Sequence, residues 1–205
     1  YADHFPYLQK KTARGVRRTP FHHHLKENGA VFGELAGWER ANWFANPGQD
    51  ASYAYSWKRQ NFFDNIAAEH KAVRNNLGLY DMSSFGKIRV EGPDACAFMN
   101  YIGGGQYDVP QGKIVYTQFL NDRAGIEADV TVTRLSETCY LVVTPAATRL
   151  ADQTWMMRHK GAFNVVITDV TAGEGVLAVM GPNARKLLER VSPNDFSNAH
   201  NPFGT

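Results

Sequence analysis

The stretch "YTQFLNDRAGIEADVTVTRL", residues 116–135, puts one carboxylate, Asp129, inside a run of Thr and Val that otherwise reads as the second strand of a β-hairpin. Asp is disfavoured in strand interiors, where it packs poorly on a pleated surface and competes for backbone hydrogen bonds. Its presence there points to a use other than packing. With a period of two, Ile126, Ala128, Val130 and Val132 share one face, and Glu127, Asp129, Thr131 and Thr133 share the other. The polar face either meets water or lines a polar pocket. In a pocket, a fixed and partly dry carboxylate can accept a hydrogen bond or take a proton from a bound amine. Periodicity alone does not choose between the two.

Other groups capable of chemistry fare less well. "FHHHLKENG" sets His22, His23 and His24 side by side. Adjacent residues of a helix or strand project in different directions, and no Cys or carboxylate partner is expected at ligand spacing, so a metal role is disfavoured. The run Gly103–Gly105 in "YIGGGQYD" follows a helical pattern instead of opening one, and it lacks phosphate-loop spacing; it reads as a flexible loop. No Gly-x-Ser-x-Gly elbow and no Cys-His pair stands out. Cys96 and Cys139 supply neither a disulfide framework nor a metal spacing, and they read as small packed hydrophobes in a reducing compartment.

The 205 residues are 43% hydrophobic and 20% charged, an ordinary globular composition with length for one large domain or two small ones. A net charge of +2 is too small an excess to argue for nucleic acid or a membrane surface as partner. No apolar run reaches the ~18 residues of a membrane span, and no signal pattern opens the chain, so the expected location is cytoplasmic, or the mitochondrial matrix in a eukaryote. The chain begins at Tyr1 and stops at "NAHNPFGT" without a closing element, as a piece of a longer polypeptide would.

Two unlike parts hold these residues. Residues 1–56, rich in aromatics, Gly, Pro and Asn without a sustained period, read as an irregular connecting segment. Residues 57–205 are regular. Phe62, Ile66, Val73 and Leu77, with Ala67 and His70 between, predict a helix that Gly78 terminates. Strands follow at "GKIRV", in the hairpin, and at "CYLVVT", "FNVVITDV" and "GVLAVM". Helices are predicted after Gly92-Pro93, after Pro145, and at "GPNARKLLERV". The strand, Gly-Pro, Asp/Asn-Ala, helix unit occurs twice, at Gly92–Ala95 and Gly181–Ala184, a weak sign of internal duplication. Hairpin-joined strands interleaved with a few helices predict an α+β fold with mostly antiparallel sheets.

"LYDMSSFGKIRVEGPDACAFMN", "GKIVYTQFLNDRAGIEADVTVTRL", "CYLVVT" and "GVLAVMGPNARKLL", in this order, resemble the first half of the aminomethyltransferase family, typified by the T-protein of the glycine cleavage system. Upstream, "RRTPFHHHLKENGAVFGELAGWERANWF" is similar to the segment that joins the flavin module to the folate module in dimethylglycine and sarcosine dehydrogenases. The resemblance implies an incomplete T-protein-like folate-binding fold that follows a flavin module of the same polypeptide.

It also implies chemistry. An FAD-bearing module, outside this chain, oxidises an N-methyl amine to an iminium. Tetrahydrofolate held by the present module captures the carbon as 5,10-methylenetetrahydrofolate. The family's essential acidic residue matches Asp129, whose implied place is beside N10 of the folate. Val130 and Thr131 are implied as folate contacts through backbone and side chain, and Tyr116, Tyr140 and Met82 as further candidates, with Phe85 bordering the same cavity. The family's second acidic anchor for the pterin belongs to a second half that this sequence does not contain, so activity is not expected of the fragment alone. The competing readings are a free-standing aminomethyl- or methyltransferase and a non-catalytic folate-binding or structural domain.

Overall fold

The computed structural model describes residues 9–205, which divide into two units. One unit comprises the chain up to Ser84 together with Gly175–Phe196; the other comprises Phe85–Glu174 with Ser197–Thr205. The strands are β1 (Arg17–Arg18), β2 (Ala30–Leu35), β3 (Trp38–Phe44), β4 (Gly78–Asp81), β5 (Gly86–Glu91), β6 (Ile114–Leu120), β7 (Ile126–Ser136), β8 (Cys139–Thr144), β9 (Val166–Asp169) and β10 (Leu177–Met180). The helices are α1 (His22–Glu27), α2 (Phe63–Asn75), α3 (Ala95–Ile102), α4 (Arg149–His159) and α5 (Ala184–Val191). Every strand pair is antiparallel except β1 with β3, so the fold is α+β as the patterning predicts. Among the described residues no helix is long and apolar enough to cross a membrane.

The first unit departs from the expectation of an irregular opening segment. Its residues 17–44 form a sheet of order β1-β3-β2 with α1 packed on it. Two features hid these strands. A bulge opposite Val31 and Phe32 leaves Asn42 unpaired and breaks the alternation of β3, and the two-residue hairpin turn is Ala36-Gly37, both at positive φ, where Asn-Gly is the usual signal. Trp43 is fully buried and stacks on Phe62 at 5.4 Å, which ties β3 to the start of α2. The unit also closes over a charge: Glu39, 5% exposed, accepts hydrogen bonds from Arg14 Nε at 2.8 Å, Arg14 Nη2 at 2.6 Å and the Gly15 N–H at 2.6 Å. The division between the units does not fall at residue 57, because α2 and β4 belong with this opening sheet's unit, as do β10 and α5.

Helix α2 ends at Asn75, before the expected Gly78, which instead opens β4; His70, placed by spacing on the apolar face, is exposed. The two Gly-Pro units both act as strand-to-helix turns, β5 into α3 in one unit and β10 into α5 in the other. Gly92 (φ 147°) and Gly181 (φ 116°) occupy backbone conformations that L side chains rarely adopt, and a Cβ at either would collide with backbone, that of Asn164 and of Asn76.

The second unit is built on a five-stranded sheet of order β6-β7-β8-β5-β9. Its core holds Ile88, Val90, Val130, Val132, Tyr140 and Val142 from the strands, Phe98, Met99 and Ile102 from α3, and Met156 from α4, all buried. The helices thus cover one face of the sheet. Cys96 and Cys139 are free and half-buried.

Arg14 and its hydrogen bonds hold the Glu39 carboxyl below the ordinary carboxylate range, outweighing the burial that opposes them. A depressed carboxyl contributes stability above the unfolded value of about 4.3, and that contribution is lost as pH falls through the lower folded value. Glu39→Gln is expected to lower stability by about 2 kcal/mol at neutral pH. The difference from the parent should shrink as the pH drops through the acid range, as followed by urea unfolding at a series of pH values.

Candidate functional site

The β6–β7 hairpin is closed by residues 121–125, and Asn121 organises the turn. Its Oδ1 accepts from the Arg123 N–H at 3.0 Å and the Gly125 N–H at 2.9 Å, while its Nδ2 donates to Glu127 at 2.6 Å. A bulge between Phe119 and Leu120 leaves Glu127 without an opposite residue and breaks the alternation ahead of Ala128. Ile126 is consequently 68% exposed, where period two placed it on the apolar face. From Ala128 onward the expected alternation holds. Ala128, Val130 and Val132 point into the core, and Asp129 is exposed on the other face.

Register decides what meets Asp129. Gln118 stands directly opposite it and Tyr116 opposite Thr131, so all four side chains share one face. The Tyr116 hydroxyl donates to Asp129 Oδ2 at 2.9 Å, and Gln118 Nε2 donates to Asp129 Oδ1 at 3.0 Å. Both carboxylate oxygens are therefore held. The Tyr116 phenol, 67% exposed, has its pKa raised, first by the hydrogen bond to Asp129 and then by burial and the carboxylate's charge. β7 pairs with β8 only from Thr131 onward, so Ile126, Ala128, Asp129 and Val130 are paired on the β6 side alone.

The residues implied by resemblance are thus sorted. Asp129, Tyr116 and Thr131 come together. The Val130 side chain is turned into the core at 2% exposure, which leaves its backbone as its means of contact on this face. Tyr140 is a correction: it is fully buried, and its hydroxyl donates to the Tyr107 carbonyl at 2.9 Å, so the side chain serves packing. Burial pushes its phenol up, well above the ordinary range. Met82 follows β4 in the other unit, where its N–H donates to the Val176 carbonyl at 2.9 Å. Phe85 is half-buried, and its carbonyl accepts from Lys87 Nζ at 2.9 Å. Gln118 was not singled out by sequence, although counting back across the turn from Asp129 with one bulge residue would reach it.

The remaining candidates find other places. His22 packs its ring on Phe32 at 4.2 Å, and burial lowers its pKa, whereas the His23 and His24 side chains are exposed. Contrary to the spacing argument, a carboxylate is within reach of the triplet, since Glu27 lies 3.3 Å from His23 Nδ1. Among the described residues no group of three His, Cys, Asp or Glu side chains could hold a metal ion. The glycine run packs on β6: the Gly104 N–H donates to the Gln118 carbonyl at 2.9 Å, and Gly103 bridges to Phe119.

The profile described as the GCVT N-terminal domain matches residues 21–205. The chain is 48% identical over 197 residues to a 4-methylaminobutanoate oxidase (formaldehyde-forming) of Paenarthrobacter nicotinovorans, covering 96% of this chain and 24% of that protein. It is 30% identical over 196 residues to the mitochondrial dimethylglycine dehydrogenase of Homo sapiens, covering 94% of this chain and 22% of that one. The chain therefore spans about a quarter of the length of these relatives. Among solved structures, the glycine cleavage system aminomethyltransferase T from Bartonella henselae superposes with a TM-score of 0.71 at 27% identity, over 85% of this chain and 43% of that one. With the profile spanning nearly the whole chain and the T-protein fold matched, this chain belongs to the GCVT N-terminal domain family.

Proposed function

We propose that this chain is the one-carbon-accepting module of an FAD-dependent N-methyl amine oxidase or dehydrogenase, with Asp129 as its acid–base group. The observation that carries the reading is the Asp129 carboxylate, exposed on a sheet face with one oxygen held by Tyr116 and the other by Gln118. The relatives' names supply the class of amine: 4-methylaminobutanoate and dimethylglycine are both N-methylated amino acids. FAD would belong to a module outside this chain, and the partner entering the site would be the iminium formed there.

The face around Asp129 suits a folate. Tyr116 offers an exposed ring for a flat heterocycle, and Gln118 and Thr131 offer polar side chains beside the carboxylate. Tetrahydrofolate supplies two nucleophilic nitrogens, N5 and N10, between which the carbon is taken up. In the overall exchange both carbon–nitrogen bonds of the iminium break and two carbon–nitrogen bonds to folate form. The two N–H hydrogens lost from folate leave on the amine product, so no oxidant is required. A carboxylate fixed beside N10 accepts a proton as that nitrogen attacks, and it stabilises the positive charge of the arriving carbon. The Tyr116 hydroxyl is the donor to Oδ2, and this bond keeps Asp129 oriented.

A second reading is favoured by one observation. The relative at 48% identity carries the name formaldehyde-forming. On that reading water attacks the iminium, giving amine, formaldehyde and a proton, without a folate acceptor. Rapid-quench single turnovers of the full-length polypeptide that contains this segment, with and without tetrahydrofolate, separate the two. One-carbon transfer predicts saturable folate binding and a fast enzymatic rate of 5,10-methylenetetrahydrofolate formation. Asp129→Asn should keep the binding and lower that rate by about 100-fold or more. Absence of folate binding in the parent would overturn this reading in favour of formaldehyde release.

The state of Tyr116 is separately measurable. In the phenolate absorbance titration, subtracting the Tyr116→Phe curve isolates its ionisation, expected above the ordinary value of about 10. In an Asp129→Asn background the same difference curve should move down toward that value, because the acceptor charge is gone.

A further inference from the structure

The two side chains that hold the carboxylate are not equivalent. Asp129 Oδ2 takes its hydrogen bond from a phenol that is itself largely exposed, on a long side chain free to leave. Asp129 Oδ1 takes its bond from Gln118, which lies directly across the ladder and is half-buried. Only the amide nitrogen can donate to a carboxylate oxygen, so the orientation of the Gln118 amide is fixed by Asp129.

The backbone beneath Gln118 is fixed as well. β6 is the outermost strand of its sheet, and an edge strand is the place where a site would otherwise drift. At Gln118 the Gly104 N–H binds the strand's outward carbonyl, and Gly103 bridges to the next residue, Phe119. A Cβ on Gly104 itself would meet only ordinary contacts, but its two neighbours are crowded. A Cβ on Gly103 would collide with the Tyr107 side chain, and one on Gly105 would lie 3.0 Å from Val115 Cγ1. The triglycine run, read from sequence as a flexible loop, is thereby a clamp on the strand position that faces Asp129.

We infer that Gln118 is a positioning residue for Asp129, its amide holding Oδ1 and its backbone clamped by the Gly103–Gly105 loop, so that the carboxylate presents a fixed lone pair to the transferring group. A carboxylate has about four lone-pair directions, and the bonds from Gln118 and Tyr116 use one on each oxygen. The remaining directions are then set by the sheet and not by free rotation of the side chain. This inference rests on the one-carbon-transfer reading given above.

The test uses the full-length polypeptide in rapid-quench single turnovers, with Asp129→Asn as reference. Gln118→Leu removes the donor at similar size, and Gln118→Glu keeps the shape but sets a second negative charge against Asp129. Gln118→Leu is expected to lower the rate of 5,10-methylenetetrahydrofolate formation about tenfold, with half-saturating tetrahydrofolate changed less than about twofold. Gln118→Glu, which also loses the amide donor, is expected to lower that rate at least as far, with half-saturating tetrahydrofolate again little changed. A purely structural role would lower the melting temperature of both variants and leave the transfer rate of the folded enzyme unchanged, which would overturn the inference. If both variants keep the parental rate while Asp129→Asn is inactive, the inference is overturned and the function stands. If Asp129→Asn itself transfers at the parental rate, the functional reading fails, and the inference with it.

Discussion

The alternation of side chains along β7 is the constraint on which the site depends. Ala128, Val130 and Val132 are held in a core shared with Phe98, Met99 and Tyr140, so the residues between them have no choice of direction. Moving the strand by one residue would bury Asp129 and expose three apolar side chains, an exchange worth several kcal/mol against the native register. The apolar face therefore aims the polar one. The carboxylate's position is a by-product of packing that makes no contact with it.

The same logic extends across the ladder to β6. Gln118 and Tyr116 reach Asp129 because Thr117 and Phe119 are buried on the opposite side, and because the glycine loop holds the outer edge of the strand. The bulge after Phe119 sets the count: it absorbs Glu127, and the pairing of Gln118 with Asp129 follows. Bulges near sites commonly re-aim side chains in this way. The other unit handles charge differently, since Glu39 is buried and closed by Arg14 and Gly15, whereas Asp129 remains open to a ligand. One carboxylate is enclosed by its unit, and the other is left exposed.

How much of this could be read from the sequence follows from what period and composition encode. The hairpin, the strand "CYLVVT" and the outward direction of Asp129 were legible, because alternation with a period of two survives from Ala128 onward. The burial of Tyr140 was not. Tyr140, Val142 and Thr144 alternate with Cys139, Leu141 and Val143, so both faces of that strand are largely apolar and periodicity cannot say which is covered. The strands within residues 17–44 carry no usual turn pair, and the bulge at Asn42 interrupts the period of β3. Gln118 needed the register, which depends jointly on turn length and bulge. Such joint dependence is what a linear pattern does not carry.

The central claim is that the Asp129 face of the β6–β7 hairpin receives the folate, and a crystal structure of the full-length polypeptide with tetrahydrofolate bound tests it most directly. The account predicts N10 of the ligand within hydrogen-bond reach of the Asp129 carboxylate, about 2.6–3.2 Å, with Tyr116 and Gln118 still holding its two oxygens. A folate seated elsewhere, with Asp129 facing only solvent, would contradict it.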